Sequence, residues 1–164
     1  MSKKIIVNPF PEAFPYEYRC FGCSPLNNIG LALSFYEIDD VLYAEWEPNK
    51  LYEGYKDVLH GGIQATILDE ISAWLVNTQC NTAGVTQALS IEYYHPVKLS
   101  GIIKAKAVLI ERTEKQAKIA ASLMNSEGKV CSEAIVTYFL YPEAVAKRKL
   151  HYPGKDAFYL KEEL

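Results

Sequence analysis

The sequence lacks a surplus of positive charge: its 164 residues include 17 lysines and arginines against 20 aspartates and glutamates, for a net charge of −3. A protein that binds nucleic acid without sequence specificity needs a basic face, so this class is disfavoured. The sequence also has no apolar run near the ~20 residues of a membrane span, and Ile5–Val7 is too short for a secretory signal. We therefore expect no nucleic-acid partner, no membrane segment and a cytoplasmic location.

Cysteine is also scarce, with four residues at positions 20, 23, 80 and 131. Cys20 and Cys23 have the spacing of half a zinc site or of a redox pair. A structural zinc usually takes a second close pair, whereas Cys80 and Cys131 are isolated. A redox motif is expected beside a βαβ pattern, which the sequence does not have. We therefore expect a reduced turn at this point, no metal and no cofactor.

The composition is that of a globular chain, with 49% hydrophobic and 23% charged residues. The length suits a single domain over residues 1–164, with a core at about 29–141. We expect residues 1–28, which contain four prolines, to be irregular but packed down through their aromatic side chains. Residues 142–164 are expected to form a C-terminal extension that begins with a short basic helix at 144–149.

Hydrophobic periodicity predicts one helix among several strands. Two β-rich runs at 31–35 and 41–46 predict a hairpin. Residues 58–79 then predict one long helix, because apolar side chains recur there at spacings of three and four: Ile63, Ile67, Ile71, Trp74 and Leu75. Four more strands are predicted at 85–94, 102–111, 117–124 and 130–140. This order predicts an α+β domain in which an antiparallel β-sheet wraps around one long central α-helix.

The predicted helix carries two acids in an otherwise apolar stretch, Asp69 and Glu70. Burying an unpaired carboxylate costs several kcal/mol or raises its pKa until it is neutral. Asp69 shares its helical face with mostly small side chains, which leave room for a ligand or another chain segment: Gly62, Ala65, Thr66, Ser72, Ala73 and Val76. Glu70 is one step further round the helix and is either a second functional acid or a solvated one.

Gly61 and Gly62 open the same helix, where the first N–H groups lack intrahelical partners and carry the positive end of the dipole. Glycine allows a ligand to approach this backbone closely. Such N–H groups can polarise a carbonyl, while an acid on the same helix, or on the facing helix of a partner subunit, activates water or attacks directly. The alternative interpretation is structural: a turn, a capping His60, and an Asp69 paired with a basic neighbour.

These residues carry a family resemblance. His60-Gly61-Gly62, Asp69 nine residues after the histidine, and the strand Thr86–Pro96 together resemble the hotdog-fold thioesterase superfamily. The phenylacetic-acid-pathway-type branch is the most similar. Upstream, residues 20–35, CFGCSPLNNIGLALSF, resemble the segment that opens many proteins of that branch. The resemblance therefore covers about residues 20–141.

The resemblance implies a homodimer, or a dimer of dimers, that hydrolyses an acyl-CoA thioester to a free acid and a thiol at the subunit interface. Two central helices would lie side by side under a continuous sheet. The Gly61 N–H would polarise the carbonyl, His60 would shape the site, Asp69 of the partner subunit would be general base or nucleophile, and Thr86 would help to place the water. The expected substrate-binding residues are Gly62, Glu70, Gln87 and Tyr55.

One position departs from the pattern of the family. Some relatives carry an asparagine six residues before the histidine, where this sequence has Gly54. This leaves open a non-catalytic acyl-CoA-binding or sensor module with the same fold. A hotdog hydratase or dehydratase is a further alternative, although the spacing from His60 to Asp69 argues against it.

Overall fold

The structure is a computed structural model that describes residues 2–160. Its strands are β1 (Lys4–Ile6), β2 (Phe35–Ile38), β3 (Val41–Trp46), β4 (Gly84–Tyr93), β5 (Ile103–Arg112), β6 (Gln116–Met124) and β7 (Val130–Leu140). Its α-helices are α1 (Phe10–Ala13), α2 (Gly61–Gln79) and α3 (Glu143–Lys149), and two 3-10 turns cover Lys50–Tyr52 and Lys155–Phe158.

The seven strands form one antiparallel sheet in the order β1-β2-β3-β5-β6-β7-β4. Helix α2 packs against this sheet, mainly on β4, β5, β6 and β7. It has 19 residues, which corresponds to a length of about 28 Å. The predicted fold, a hotdog in which an antiparallel sheet wraps around one long helix, is confirmed.

The apolar stripe of α2 forms the centre of the core. Ile67, Ile71, Trp74 and Leu75 are all at most 3% exposed, as the periodicity predicted. Ile63, one turn nearer the start of the helix, is only half-buried. Each fully buried side chain of this size contributes roughly 1.5–3 kcal/mol, so the stripe attaches the helix to the sheet.

The first predicted strand begins later than expected, at Phe35 instead of Leu31. The N–H groups of Leu31 and Leu33 donate to the carbonyls of Phe21 and Gly22, at 2.8 and 2.9 Å, and so are not available to a neighbouring strand. Both leucines are nevertheless buried. The backbone of these alternating apolar residues therefore hydrogen bonds to the turn at Cys20–Cys23 instead of to a strand of the sheet.

Both ends of the described chain contribute to the sheet edge at β1. Strand β1 lies in the segment predicted to be irregular, and its Ile6 faces Phe35 of β2. The Val7 N–H donates to the carbonyl of Phe158 at 2.8 Å, and Phe158 is fully buried. These pieces are too short to produce a hydrophobic period, so the sequence did not indicate them. The domain limits predicted above stay predictions.

Strand β4 forms the other edge and, within residues 2–160, pairs only with β7. Several of its apolar side chains are substantially exposed, including Val85 (41%), Leu89 (38%) and Tyr93 (51%). None of the described helices combines the length and apolarity that crossing a membrane requires.

Candidate active site

Helix α2 begins with a side-chain cap. The Gly62 N–H donates to Nδ1 of His60 at 2.9 Å, so Nδ1 is the acceptor and, in the neutral ring, Nε2 carries the proton. The His60 carbonyl accepts the N–H groups of Ile63 and Gln64. For the Gly61 N–H no acceptor is found among residues 2–160. Gly61 therefore supplies the available donor at this helix end, whereas the N–H of Gly62 is occupied.

Gly61 and His60 each contact a neighbouring segment of the chain. The Tyr93 hydroxyl donates to the Gly61 carbonyl at 2.9 Å and so ties the end of β4 to the start of α2. Gly54 lies against the histidine, since a Cβ at position 54 would be 3.1 Å from the His60 Cα. The position at which some relatives carry asparagine thus faces His60, and a Cβ there requires His60 to move by a few tenths of an ångström.

Asp69 is held by two hydroxyl groups. The Thr86 hydroxyl donates to Oδ1 of Asp69 at 2.8 Å, and the Tyr138 hydroxyl lies 2.7 Å from both Oδ1 and the Asp69 carbonyl oxygen. Burial raises the pKa of Tyr138, so its hydroxyl keeps its proton and remains a donor. For Oδ2, no donor is found in the described part of the chain. One carboxylate oxygen is therefore fixed, and the other remains available as an acceptor.

Tyr138 was not predicted as a site residue. Alternation along β7 places it inward, since Ala134, Val136 and Leu140 are buried on the same face. Its contact with Asp69 depends on the pairing of β7 with β4, in which Tyr138 is directly opposite Thr86. The sequence contains the alternation, but no single-chain pattern specifies that register.

Glu70 lies away from Asp69 and faces the N-terminal segment. Its Oε1 accepts from the Trp74 indole N–H at 3.0 Å and from the Cys20 thiol at 3.4 Å. Burial raises the pKa of Glu70 to about 7. The side chains of the adjacent acids Asp69 and Glu70 therefore have different hydrogen-bond partners. A substrate-binding role for Glu70 stays a prediction.

Two other predicted substrate-binding residues are not joined to this group. Gln87 lies at a β-bulge between Thr86 and Ala88, and its Oε1 accepts from the Gln116 side chain at 2.7 Å. Tyr55 is 86% exposed in the loop before His60. Within residues 2–160 neither side chain hydrogen bonds to Asp69 or Gly61, and their roles stay predictions.

The donor and the acid on one helix are far apart. Gly61 and Asp69 are separated by eight residues of α2, and this corresponds to about 12 Å along the helix axis. A carbonyl group that accepts a hydrogen bond from one end at about 3 Å is out of reach of the other. Within one chain, the two halves of the candidate site therefore cannot act on the same carbonyl.

Residues 56–132 match the family model of the thioesterase superfamily. This segment contains α2, β4, β5 and β6 together with the start of β7. It therefore includes Gly61, Asp69 and Thr86, whereas Tyr138 lies beyond it. None of the curated proteins matches the chain.

Solved structures share the fold at low sequence identity. A crystallised thioesterase superfamily protein superimposes with a TM-score of 0.66 and 21% identity over 72% of this chain, which spans only 58% of that protein. A hypothetical thioesterase from Streptococcus pneumoniae, crystallised with coenzyme A, superimposes with a TM-score of 0.62 and 23% identity. The match covers 68% of this chain and 87% of that protein. A Streptococcus mutans protein bound to acetyl CoA superimposes with a TM-score of 0.65 and 19% identity, and the match covers 79% of this chain and 98% of that protein. Residues 56–132 are therefore similar in sequence to the thioesterase superfamily, and the superpositions show that the chain shares the fold of these solved structures.

Proposed function

We propose that the protein hydrolyses acyl-CoA thioesters and belongs to the phenylacetic-acid-pathway-type branch of the superfamily. The observation that carries the proposal is Asp69, whose Oδ1 is fixed by two hydroxyls while Oδ2 stays available. Similar proteins crystallised with coenzyme A and with acetyl CoA support a thioester of coenzyme A as the substrate class. The cytoplasmic location stays a prediction from the sequence.

The distance between Gly61 and Asp69 supports a site shared by two copies. If a second α2 runs antiparallel to the first, the Asp69 end of one helix comes beside the Gly61 end of the other. Strand β4 favours this arrangement, because its exposed edge can pair with the same edge of a second copy. We propose a homodimer formed in this way, and a dimer of dimers is compatible with it.

In the proposed reaction, Asp69 of the second copy takes a proton from a water molecule whose oxygen attacks the thioester carbonyl carbon. The carbonyl π electrons move to oxygen, and the Gly61 N–H donates to the resulting oxyanion. When the intermediate collapses, the C–S bond breaks and the thiolate receives the proton from Asp69. Thr86 and Tyr138 hold the carboxylate in place throughout.

Direct attack by the Asp69 carboxylate is the alternative first step. It expels the thiolate and forms a mixed anhydride on Asp69, which water then hydrolyses to the acid and the original carboxylate. Acid-quenched reaction mixtures separate the two routes by peptide mass spectrometry. An acyl mass on the α2 peptide supports direct attack, and its absence at all times during turnover supports the water route.

The decisive experiment compares wild type with Asp69→Asn on a panel of acyl-CoAs, with thiol release as the readout. We expect kcat to fall by at least about 100-fold, because the amide cannot accept the proton. Asp40→Asn is the matched control, because this substitution removes the same charge at a residue in the exposed turn between β2 and β3. Full activity of Asp69→Asn would show that the assignment is wrong.

Two results with wild type would replace the proposal by an alternative. Tight binding of acyl-CoA in calorimetry without thiol release would identify a non-catalytic binding module. Addition of water to an enoyl-CoA, without thiol release, would identify a hydratase.

A further inference from the structure

The turn at Cys20–Cys23 brings three metal-ligating side chains together in a place that the hydrolase proposal does not use. The Cys20 thiol is 3.4 Å from Oε1 of Glu70, fifty residues along the chain. The sulfur atoms of Cys20 and Cys23 and a carboxylate oxygen of Glu70 all lie within 4.8 Å of one another. The sequence offered only the two cysteines, and the fold supplies the third group from α2.

The distances are those of a metal site before the ligands close on the ion. Zn²⁺ binds thiolate sulfur at about 2.3 Å and carboxylate oxygen at about 2.0–2.2 Å, so tetrahedral ligands lie roughly 3.5–3.8 Å apart. The contact between Cys20 and Glu70, at 3.4 Å, is already close to this range. Small side-chain movements therefore bring all three atoms to one ion.

The acid of this cluster has no cationic partner. Glu70 forms no ion pair with any lysine, arginine or histidine in the described residues. Cys23 is only 3% exposed, and Glu70 is half-buried, with Gly22 of the turn lying against its carboxyl group. A half-buried carboxylate beside two thiols and without a basic partner is stabilised by a proton or by a bound cation.

Neighbouring donors hold the ligand atoms in place. The Cys23 N–H donates to the Cys20 sulfur at 3.4 Å, and the Trp74 indole N–H donates to Glu70 at 3.0 Å. The Tyr18 hydroxyl lies 3.1 Å from the Cys23 sulfur. Outer groups of this kind orient metal ligands and stabilise their anionic forms.

Gly22 explains how the turn approaches so closely. A Cβ at this position would overlap the Glu70 carboxyl group, so a residue larger than glycine would displace the carboxylate from its present position. The turn is also fixed from the other side, since the Gly22 carbonyl accepts the N–H of Leu33 at 2.9 Å. The three ligands are therefore held by the fold on both sides of the cluster.

The geometry points to a zinc-binding site formed by Cys20, Cys23 and Glu70, in which water or another exogenous ligand takes the fourth position. Two thiolates and a carboxylate suit Zn²⁺ better than Mg²⁺ or Ca²⁺, which prefer oxygen ligands alone. Binding releases the protons of both thiols to solvent. A disulfide between the two cysteines, in contrast, would leave Glu70 without a cation. The site is independent of the hydrolase proposal.

The test uses the tag-free, full-length chain, reduced and stripped of metal by a chelator under anaerobic conditions. Titration with Co²⁺ should give one equivalent per chain, with thiolate-to-cobalt charge-transfer absorption and the intense visible bands of tetrahedral cobalt. Addition of Zn²⁺ should abolish these bands. Absence of thiolate-to-cobalt absorption in the folded wild type would overturn the proposal without reference to any variant.

Variants then assign the ligands. Cys20→Ser and Cys23→Ser should each lose the tight site, and Glu70→Gln should lower the Co²⁺ affinity at least tenfold. Cys131→Ser is the control and should bind as wild type does, because its sulfur lies elsewhere and contacts the Lys129 carbonyl. Unchanged cobalt spectra and affinity in Cys23→Ser or Glu70→Gln would overturn the assignment. Circular dichroism checks that each variant is folded.

Discussion

The two oxygens of the Asp69 carboxylate have different surroundings, and this difference defines the site at the scale of single residues. Oδ1 accepts from Thr86 and Tyr138, whereas Oδ2 has no donor in the described part of the chain. Because Thr86 and Tyr138 are opposite each other on two paired strands, both hydroxyls are held by the sheet. The acid is therefore oriented by groups that do not themselves have to move.

Tyr138→Phe tests this orientation. We expect kcat to fall by about tenfold with little change in KM, because the variant removes one of the two donors that position the base. The free energy of unfolding should fall by about 1 kcal/mol through the lost hydrogen bond. Steady-state kinetics and urea unfolding measure the two effects.

Tyr152→Phe is the matched control. Tyr152 is as buried as Tyr138, and its hydroxyl donates to the Asn77 carbonyl at 2.9 Å, near the other end of α2. The Tyr152→Phe variant should show a similar fall in the free energy of unfolding while its kcat stays unchanged. An equal loss of kcat in both variants would mean that Tyr138 acts only through stability.

At the scale of secondary-structure elements, the start of α2 combines a structural and a chemical function. His60 caps the helix by accepting the Gly62 N–H, and this leaves the Gly61 N–H as the donor toward a ligand. The structural and catalytic interpretations of His60 are therefore compatible. The cap fixes the backbone whose remaining N–H group would polarise a carbonyl.

Substitution of His60 separates the two functions. His60→Ala should lower the free energy of unfolding by about 1 kcal/mol, because it removes the side-chain cap. His60→Asn should restore most of this stability, since asparagine is among the best capping residues. Urea unfolding followed by circular dichroism measures the difference. If both variants are equally destabilised, the hydrogen bond to Gly62 is not what stabilises the helix end.

At the scale of the whole molecule, the two edges of the sheet differ in how far other parts of the described chain cover them. The β1 edge is covered, because both ends of the described chain pack there around Phe158. The β4 edge is open, and its Leu89 shares a face with the buried Val136 of β7 yet is 38% exposed. An apolar side chain on the core face of an open edge indicates a surface that a second copy can cover.

Glu37 anchors the covered edge, and its contribution to stability should depend on pH. Burial raises the pKa of Glu37, but hydrogen bonds from Lys4, Gln79 and Tyr159 outweigh this effect and hold the pKa below its usual value. Its stabilisation is therefore complete above the pKa of the unfolded state, about 4.3, and is lost as the pH falls through the folded-state pKa.

We expect Glu37→Gln to lower the free energy of unfolding by about 2 kcal/mol at pH 7, and the difference from wild type to shrink below pH of about 4. Urea unfolding across this pH range measures it. Glu45→Gln, which removes an exposed partner of Lys104 in the same hairpin, should change stability little at any pH. A Glu37→Gln deficit that persists unchanged at low pH would contradict the expectation.

Leu89→Arg tests the open edge. A charge on the core face of β4 should prevent a second copy from docking, so the chain should sediment as a monomer and lose thiol-releasing activity. Ile5→Arg is the control, because Ile5 is similarly exposed on β1 at the opposite edge. Analytical ultracentrifugation measures the mass. A folded Leu89→Arg variant that remains a fully active dimer would place the interface elsewhere.

The sequence alone determined the layout of the domain, because local chemistry controls it. The stripe from Ile67 to Leu75 specified α2, and the alternating segments specified β3 to β7 closely. The hairpin was also evident from its two β-rich runs, and its turn residues Asp39 and Asp40 both adopt the positive φ that two-residue hairpin turns need. The glycines and Asp69 marked the two ends of the candidate site on that helix.

Only the tertiary structure decided which groups meet, because strand register and the packing of distant segments depend on the whole chain. The β4–β7 register brought Tyr138 to Asp69. The packing of the N-terminal turn on α2 brought Cys20 to Glu70, so two acids adjacent in sequence have unrelated partners. The segments around Lys4 and Phe158 are structured only because they pack on the sheet and on each other. Neither segment is long enough to form a stable strand or helix alone.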